Sequence, residues 1–220
     1  MRGLVWFFLP VAMAACTAKQ QDAASQAQVA APVSHATAST ITEVPLSTTT
    51  EVPLLPTETA VAPEINPPGD IPDSQAFVNY HSSAGGYQLD VPEGWARTEK
   101  DTTVSFVDKF DGVMVSVAPA SAAPTAASAR ASEAKKIESS GHAVTITGVS
   151  DVTLPSGKAV IIQYTSNSDA NAVTNKRVRL ENEAVLYFRN GRQAMLTLWA
   201  PQGADNVDQW TRMSKSFRWL

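Results

Sequence analysis

Cysteine is nearly absent from this sequence, and its single occurrence, Cys16, excludes a disulfide within the chain. Aromatic residues are absent from residues 17–75, a stretch that instead carries eight prolines and long runs of Ala, Ser and Thr. Such a stretch lacks the side chains whose burial would offset the entropy lost on ordering. We therefore predict a disordered tether over residues 16–75 and one folded domain over residues 76–220.

The sequence also lacks an excess of positive charge. Residues 17–75 carry one basic and seven acidic side chains, a net charge of −6, and residues 76–220 carry 15 basic and 14 acidic ones, a net charge of +1. A domain that binds nucleic acid needs a basic surface to neutralise several phosphates. The charge pattern therefore predicts no nucleic-acid partner.

Long hydrophobic runs are missing as well. The apolar run over residues 4–13 is too short to span a bilayer core of about 30 Å as a permanent helix. Because Arg2 precedes this run and small residues follow it, the segment has the organisation of an export signal. We assign residues 1–15 to a signal peptide.

The residues Met13-Ala14-Ala15-Cys16 resemble the lipobox of bacterial lipoproteins, with Met13 where Leu is more usual. The resemblance implies cleavage before Cys16 and alkylation of its thiol to a thioether by a lipid that carries acyl chains such as palmitate. Two or more acyl chains anchor a protein stably. It implies an exported protein on the extracytoplasmic side, at the outer face of the cell membrane or the periplasmic side of an outer membrane. The alternatives are a secretory signal without lipid and a weak signal anchor.

The predicted tether contains a short repeat, Thr-Glu-Val-Pro-Leu, at residues 42–46 and 50–54. Repeats of this length with proline are typical of linkers, because the units of solenoid proteins run to about 20 residues or more. The repeat favours a spacer, and the alternative is a ligand for a component of the cell wall or envelope.

Alternation of apolar and polar residues predicts strands in the domain, and Ala-rich helical spacing predicts one helix over residues 124–139. The predicted strands are 86–91, 103–107, 113–117, 144–154, 159–165, 177–188 and 193–199. Asp111-Gly112 and Asn190-Gly191 are hairpin-turn signals. The first three strands are expected to form a small antiparallel meander and the last four a longer antiparallel sheet.

A last helix is predicted after Asp205, which is placed to cap it. One face of this helix is expected to carry Val207, Trp210, either Met213 or Ser214, and Phe217. An antiparallel sheet flanked by segregated helices belongs to the α+β class.

Two motifs resemble the start and the end of PsbP-like domains. Residues 87–95 read Tyr-x-Leu-x-Val-Pro-x-Gly-Trp, and the end of the chain has Asp208-x-Trp210 and Ser216-Phe217-x-Trp219. The resemblance covers residues 77–220 and implies an α/β/α sandwich around an antiparallel sheet. PsbP is an extrinsic subunit of a membrane photosynthetic complex, and its relatives are accessory or binding proteins, so the resemblance implies a module that is not an enzyme.

The sequence shows no pattern typical of catalysis or metal binding. His35, His81 and His142 are isolated from one another, and no Gly-x-Ser-x-Gly motif is present. Glu181 and Glu183 lie on one face of a predicted strand, where solvated charge is the commoner role. We predict no catalytic residue, no metal site and no cofactor.

A polar segment at residues 167–177 is the most promising binding element, because loops rich in amides and guanidinium groups carry function more often than cores do. The alternative is a plain hairpin loop. The candidate binding residues are Asn167, Asn171, Asn175 and Arg177, together with Asp205 and Trp210 near the last helix.

The sequence thus predicts a lipoprotein attached to a membrane through Cys16, whose domain is a non-enzymatic accessory module for a membrane complex or an envelope polymer. One alternative is a carrier of a small ligand, a lipid or a sugar, with a pocket between sheet and helix. Another is an enzyme without a recognisable motif. No particular oligomeric state is predicted.

Overall fold

The structure is a computed structural model that describes residues 58–220. The predicted signal peptide, Cys16 and the tether up to residue 57 lie outside the described residues. In chain order the elements are β1 (Phe77–Ser82), β2 (Tyr87–Pro92), β3 (Ala96–Lys100), β4 (Thr103–Asp108), β5 (Asp111–Pro119), α1 (Ala126–Ala131), α2 (Glu133–Ser140), β6 (His142–Leu154), β7 (Gly157–Asn167), β8 (Arg179–Arg189), β9 (Arg192–Pro201), α3 (Val207–Ser216) and β10 (Arg218–Trp219).

Two antiparallel sheets contain these strands. The large sheet has seven strands in the order β3-β4-β5-β9-β8-β7-β6, and the small sheet has three in the order β1-β2-β10. All seven predicted strands are present, with ends shifted by at most two residues. The α+β class is confirmed.

Other elements pack on both faces of the large sheet. The small sheet and α3 pack on one face, where the central aromatic contact is the stacking of Phe217 on Tyr187, with ring centroids 4.1 Å apart. The two short helices α1 and α2 pack on the other face, where Ala129 and Ala134 are buried against Val160 and Ile162 of β7. Helices therefore lie on both sides of a central sheet.

The predicted opening meander is wrong in one respect. The strands β4 and β5 do pair, but β2 pairs with β1 and β10 in the small sheet. Tyr87, Leu89 and Val91 of β2 are fully buried in the core between the sheets, which draws this strand out of the large sheet. The strands β1 and β3 were not predicted, because both are edge strands with few buried residues and β3 is exposed throughout.

The two hairpin signals have different outcomes. Asn190-Gly191 forms the β8–β9 turn with both residues at positive φ, as predicted. The β4–β5 turn is formed by Lys109 and Phe110, whereas Gly112 is already inside β5. A Cβ at Gly112 would lie 1.8 Å from the ring of Trp199, so this glycine permits close packing of an aromatic ring rather than a turn.

The helix predictions need two corrections. The segment predicted as one helix is broken at Ser132, whose backbone is not helical, and it begins with a capping box in which Thr125 and Ser128 bond each other reciprocally. At the last helix the N-cap position is Asn206, and Asp205 is exposed and does not cap it. The Asn206 side chain makes no capping bond either, because it bonds a preceding segment of the chain.

That preceding segment is residues 58–73, which we call the strap. These residues belong to the predicted disordered tether, but in the structure they lie along the domain and Ile71 is buried. Its order does not come from aromatic packing. It comes from the burial of Ile71 in the core and from buried polar side chains of the domain that bond the strap backbone.

Candidate functional site

Asn206 holds the C-terminal end of the strap. Its side chain is 2% exposed, accepts a hydrogen bond from the Ile71 N–H at 2.7 Å and donates one to the Gly69 carbonyl at 2.8 Å. Both groups of the amide are therefore used, and the residue ties the start of α3 to the strap.

Asn167 holds the other end of the strap. It is 4% exposed, its carbonyl oxygen accepts from the Val61 N–H, and its amide nitrogen donates to the Thr59 carbonyl and to the Glu58 carboxylate, each at 3.0 Å. The predicted binding residue Asn167 thus has its hydrogen-bonding capacity occupied by the chain itself.

Glu58 is the centre of a polar clasp with the 167–177 loop. Its carboxylate lies 2.7 Å from Nδ1 of His142 and 3.2 Å from Nε of Arg177, and Nε2 of His142 lies 3.2 Å from Asp169. The pKa of Glu58 is lowered, chiefly by the hydrogen bond from Asn167 and then by His142 and Arg177. The carboxylate is therefore the stable form in the clasp.

The rest of the 167–177 loop is organised by its own amides. The Asn171 side chain accepts from the N–H groups of Val173 and Thr174, both at 3.0 Å, and Asn175 adopts a positive φ of 55°. Such Asx turns are the usual role of Asn in loops. Asn175 therefore has a conformational role in this structure.

Arg179, which follows the polar segment in the sequence and was not among the final candidate residues, supports the loop from inside. It is buried and donates to the Ala143 carbonyl at 2.8 Å and to the Asn167 side chain at 3.1 Å, and burial lowers its pKa. The sequence around Arg179 contains no pattern that would distinguish a buried arginine from an exposed arginine in a strand.

Next to the clasp lies the largest concavity described, a groove of about 660 Å³ on the α2 side of the large sheet. We call it the sheet groove. Its floor crosses β7, β8, β9 and β5 and presents Tyr164, Trp199 and Met114, and α2 forms one wall. At the clasp end it is lined by His142 and Asn167, and at the far end by Lys109 and Phe110 of the β4–β5 turn.

The groove exists because the two short helices cover only part of the sheet face. Their main strand contacts are with β6 and β7, whereas Trp199 of β9 and Met114 of β5 line the open groove. Trp199 is half-buried there, and burial raises the pKa of the Tyr164 hydroxyl to about 12, which leaves it neutral. The surface is therefore largely apolar at its floor and polar at its rim.

A second, smaller cleft of about 360 Å³ lies on the opposite face, between α3 and the strands β7 and β8. We call it the α3 cleft. Trp210 lines it together with Glu181 and Glu183, and burial raises the pKa of both carboxyls. These glutamates are half-buried beneath a helix, which differs from the solvated charge expected from the sequence.

The structure separates the predicted site residues into different places. Asn167 and Asn171 line the sheet groove, whereas Trp210 lines the α3 cleft on the other face of the sheet. Arg177 belongs to the clasp, and Asp205 is exposed, with its backbone N–H bonded to Asp70 of the strap at 2.8 Å. The loop and the last helix therefore do not form one site.

Sequence reasoning missed the apolar floor of the sheet groove. Its residues alternate with core residues along the strands, and the sequence 194–199 is apolar on both faces except for Thr197. A strand that is apolar on both faces is typical of a sheet with elements packed on both sides, so the sequence carries no signal that this face is partly open.

Within residues 58–220, no group of three or more His, Cys, Asp or Glu side chains is arranged to hold a metal ion. In the same part of the chain, no helix has the length and apolar character needed to cross a membrane.

Comparison with solved structures identifies the fold. The chain is similar to the cyanobacterial PsbP of Synechocystis, with 13% identity and a TM-score of 0.51 over 69% of this chain and 98% of that chain. It is also similar, with a TM-score of 0.46 and 12% identity, to the Ran-binding protein Mog1p of Saccharomyces cerevisiae, over 66% of this chain and 95% of that one. No family model and no curated protein sequence matches the chain. The described domain therefore has a PsbP-like α+β fold.

Proposed function

We propose that this protein is an exported lipoprotein, attached to a membrane through lipid on Cys16, and that its domain docks a membrane protein complex or an envelope polymer in the sheet groove. The domain acts as a binding module and not as an enzyme. The observation that carries this proposal is the groove itself, an open surface with aromatic and Met side chains on its floor and charged and amide groups on its rim. Aromatic residues and Met are enriched where proteins bind one another.

The PsbP-like fold agrees with the same proposal, but only as an analogy, because proteins of one fold can have unrelated functions and the function depends on the site. The position of the groove adds to it. The strap begins at the groove rim, so the chain that leads back to Cys16 leaves the domain beside the proposed docking surface.

A second candidate, a carrier of a lipid or sugar, is favoured by the α3 cleft, which lies between sheet and helix as such a pocket would. Its volume of about 360 Å³ is at the lower end of the range of small-molecule sites.

The test is crosslinking and affinity capture from native membranes with four forms of the full chain. Phe110, 36% exposed at the end of the groove, is changed to Ser, and Val78, 43% exposed in the small sheet, is changed to Ser as the matched control. The fourth form is Cys16→Ala, which should also lose incorporation of labelled palmitate.

We expect wild type and Val78→Ser to enrich the same envelope component. Phe110→Ser should recover about tenfold less, which corresponds to about 1.4 kcal/mol of binding free energy. Cys16→Ala should also recover less, because this variant is not attached to the membrane. Equal recovery by wild type and Phe110→Ser would contradict docking in the groove. Palmitate incorporation that persists in Cys16→Ala would contradict the lipid anchor.

A further inference from the structure

Four basic side chains lie together at the end of the domain opposite the clasp, and we call this surface the basic end. They are Arg189 and Arg192 on either side of the β8–β9 turn, Lys215 in the last turn of α3, and Arg218 in β10. Arg189 is the last residue of β8, and Arg179, beside the clasp, is the first. The two ends are therefore about 34 Å apart along the strand.

The basic end has no acidic partner in the part of the chain that the structure describes. None of its four side chains forms an ion pair with a described residue. The segments that build this end contain no Asp or Glu: residues 82–89, 184–197 and 209–220. Glu133 bonds Gln193, which follows Arg192, but successive strand residues point to opposite faces, so this carboxylate lies on the α2 side of the sheet.

Arg189 and Arg192 are arranged in a way that does not favour folding by itself. They lie directly opposite each other in the β8–β9 register, and both contact Trp219. Nη1 of Arg189 donates to the Trp219 carbonyl at 3.2 Å, and the Arg192 guanidinium lies 5.6 Å from the centroid of the indole ring. Like charges directly opposite in an antiparallel pair destabilise it. Since no described carboxylate offsets this repulsion, a bound anion would stabilise the pair.

Backbone carbonyls hold the guanidinium groups in place without neutralising them. Nη2 of Arg192 donates to the Gly85 carbonyl at 2.7 Å, and Nη1 of Arg218 donates to the Lys215 carbonyl at 2.6 Å. A guanidinium has several N–H donors, so each group keeps others for a ligand. Its planar fork matches the geometry of a phosphate, and a side chain that is already fixed loses little entropy on binding.

The basic end also exposes an apolar side chain. Leu220 follows Trp219, is 62% exposed, and its N–H bonds the Gly86 carbonyl at 2.9 Å. Basic side chains combined with Trp and an exposed aliphatic residue are typical of surfaces that contact the headgroup region of a bilayer. A free phosphate or a soluble polyanion gains nothing from the leucine, so the composition favours a lipid surface.

We propose that the basic end binds the phosphate headgroups of an anionic phospholipid surface, with Arg189, Arg192 and Arg218 as the anion-binding residues. The proposal rests on the proposed function only for the lipid anchor, which brings the domain to a membrane. Because the basic end and the clasp lie at opposite ends of β8, a domain bound in this way directs the clasp end of the sheet groove away from the lipid.

The experiment is binding of the full chain to vesicles, in the Cys16→Ala form so that lipid on Cys16 makes no contribution. One set of vesicles is phosphatidylcholine alone, and the other is phosphatidylcholine and phosphatidylglycerol in equal parts. The test variant is Arg189→Gln with Arg218→Gln. The control is Arg130→Gln with Lys135→Gln, which removes two exposed basic side chains from the helices on the other face of the sheet.

We expect the Cys16→Ala form to bind the anionic vesicles more tightly than the neutral ones. Each basic residue close to an anionic surface contributes about fivefold to binding, so the test variant should bind these vesicles about 25-fold more weakly and the control about as tightly as the parent. Arg189→Lys with Arg218→Lys keeps both charges and should bind within about threefold of the parent, which separates the loss of charge from a change of fold.

A fluorophore tests which end of the domain meets the lipid. Because Cys16 is replaced, a cysteine introduced as Ser83→Cys or as Thr174→Cys is the only thiol to label. Ser83 is exposed in the turn that Arg192 contacts, and Thr174 is exposed in the loop at the opposite end. A quencher carried by the lipid should reduce the fluorescence at position 83 and leave position 174 unchanged, and the reverse pattern would contradict the proposed orientation.

The outcomes separate the source of the anion and the two proposals. Equal affinity of the test variant and the parent, or an equal loss in the control, overturns the lipid site. Leu220→Ser should weaken vesicle binding; if it does not, and polyphosphate at the same phosphate concentration displaces all the protein, the ligand is a soluble polyanion and the lipid assignment is wrong. If vesicle binding requires the arginines but capture from native membranes is indifferent to Phe110→Ser, the lipid site stands and docking in the sheet groove fails.

Discussion

Replacement of Asp111 by Asn should stabilise the domain at neutral pH and have little effect in acid. Asp111 begins β5 with only 5% of its surface exposed, and the nearest hydrogen-bond donor described is the Asn206 amide nitrogen at 3.5 Å. Burial raises its pKa from 3.8 to about 7, and the nearby charges of Asp108 and Asp70 act in the same direction. The folded domain therefore binds this proton more tightly than the unfolded chain does.

The sign and size of the effect follow from that difference in pKa. Stability from this group is fully present below pH 4 and is lost as the pH rises towards 7, because the charged carboxylate is disfavoured only in the folded state. Between pH 5 and pH 8 the loss amounts to about 2 to 3 kcal/mol. Asn carries no proton to lose, so the variant should keep this free energy.

The assay is urea unfolding followed by tryptophan fluorescence at several pH values from 5 to 8. The measured quantity is the difference in unfolding free energy between variant and wild type, in which the pH dependence of other shifted groups such as Glu183 and Glu58 cancels. The difference should grow by about 2 kcal/mol across this range. A difference that stays constant with pH would show that Asp111 does not titrate in this window.

Two further predictions concern packing. Phe217→Ala should lower the unfolding free energy by about 3 to 5 kcal/mol, because this ring is fully buried between two tyrosines. Trp95→Ala should lower it less, since Trp95 is only half-buried. Urea unfolding measures both losses, and a larger loss for Trp95→Ala would contradict the half-buried position of Trp95. Gly112→Ala should displace the Trp199 ring and cost about 1 to 3 kcal/mol, with a shift of its fluorescence. Gly94→Ala is the control, because a Cβ there meets no atom within 4 Å and only its positive φ opposes the change; equal spectra of the two variants would refute the close contact.

Strands β4 to β9 of the large sheet were predictable because their signals are local. Alternation along β4 to β9 and the Asn190-Gly191 turn depend on residues next to one another in the sequence. The strands β1 and β3 were not predictable in this way, because an edge strand buries little and so carries little alternation.

The candidate sites depended on the structure to a greater extent. The amides of the 167–177 loop were selected as ligand-binding groups, but Asn167 is occupied by the strap and Asn171 by its own loop. The sequence does not distinguish an amide that binds a ligand from one that bonds the backbone of its own chain, as Asn167 bonds Val61, which is 106 residues away. The sheet groove was not predicted, because the sequence does not distinguish an aromatic strand residue that lines an open groove, such as Trp199, from one that is packed beneath a helix.

The sequence by itself determined the α+β class, the order of the principal strands and the composition of the segment before residue 58, because these follow from local pattern and local charge. Only the tertiary structure decided that β2 leaves the large sheet, that the strap is ordered, and that Trp199 and Trp210 lie on opposite faces. These features depend on contacts between residues far apart in the chain, where the packing of one element against another fixes which face is buried and which is open.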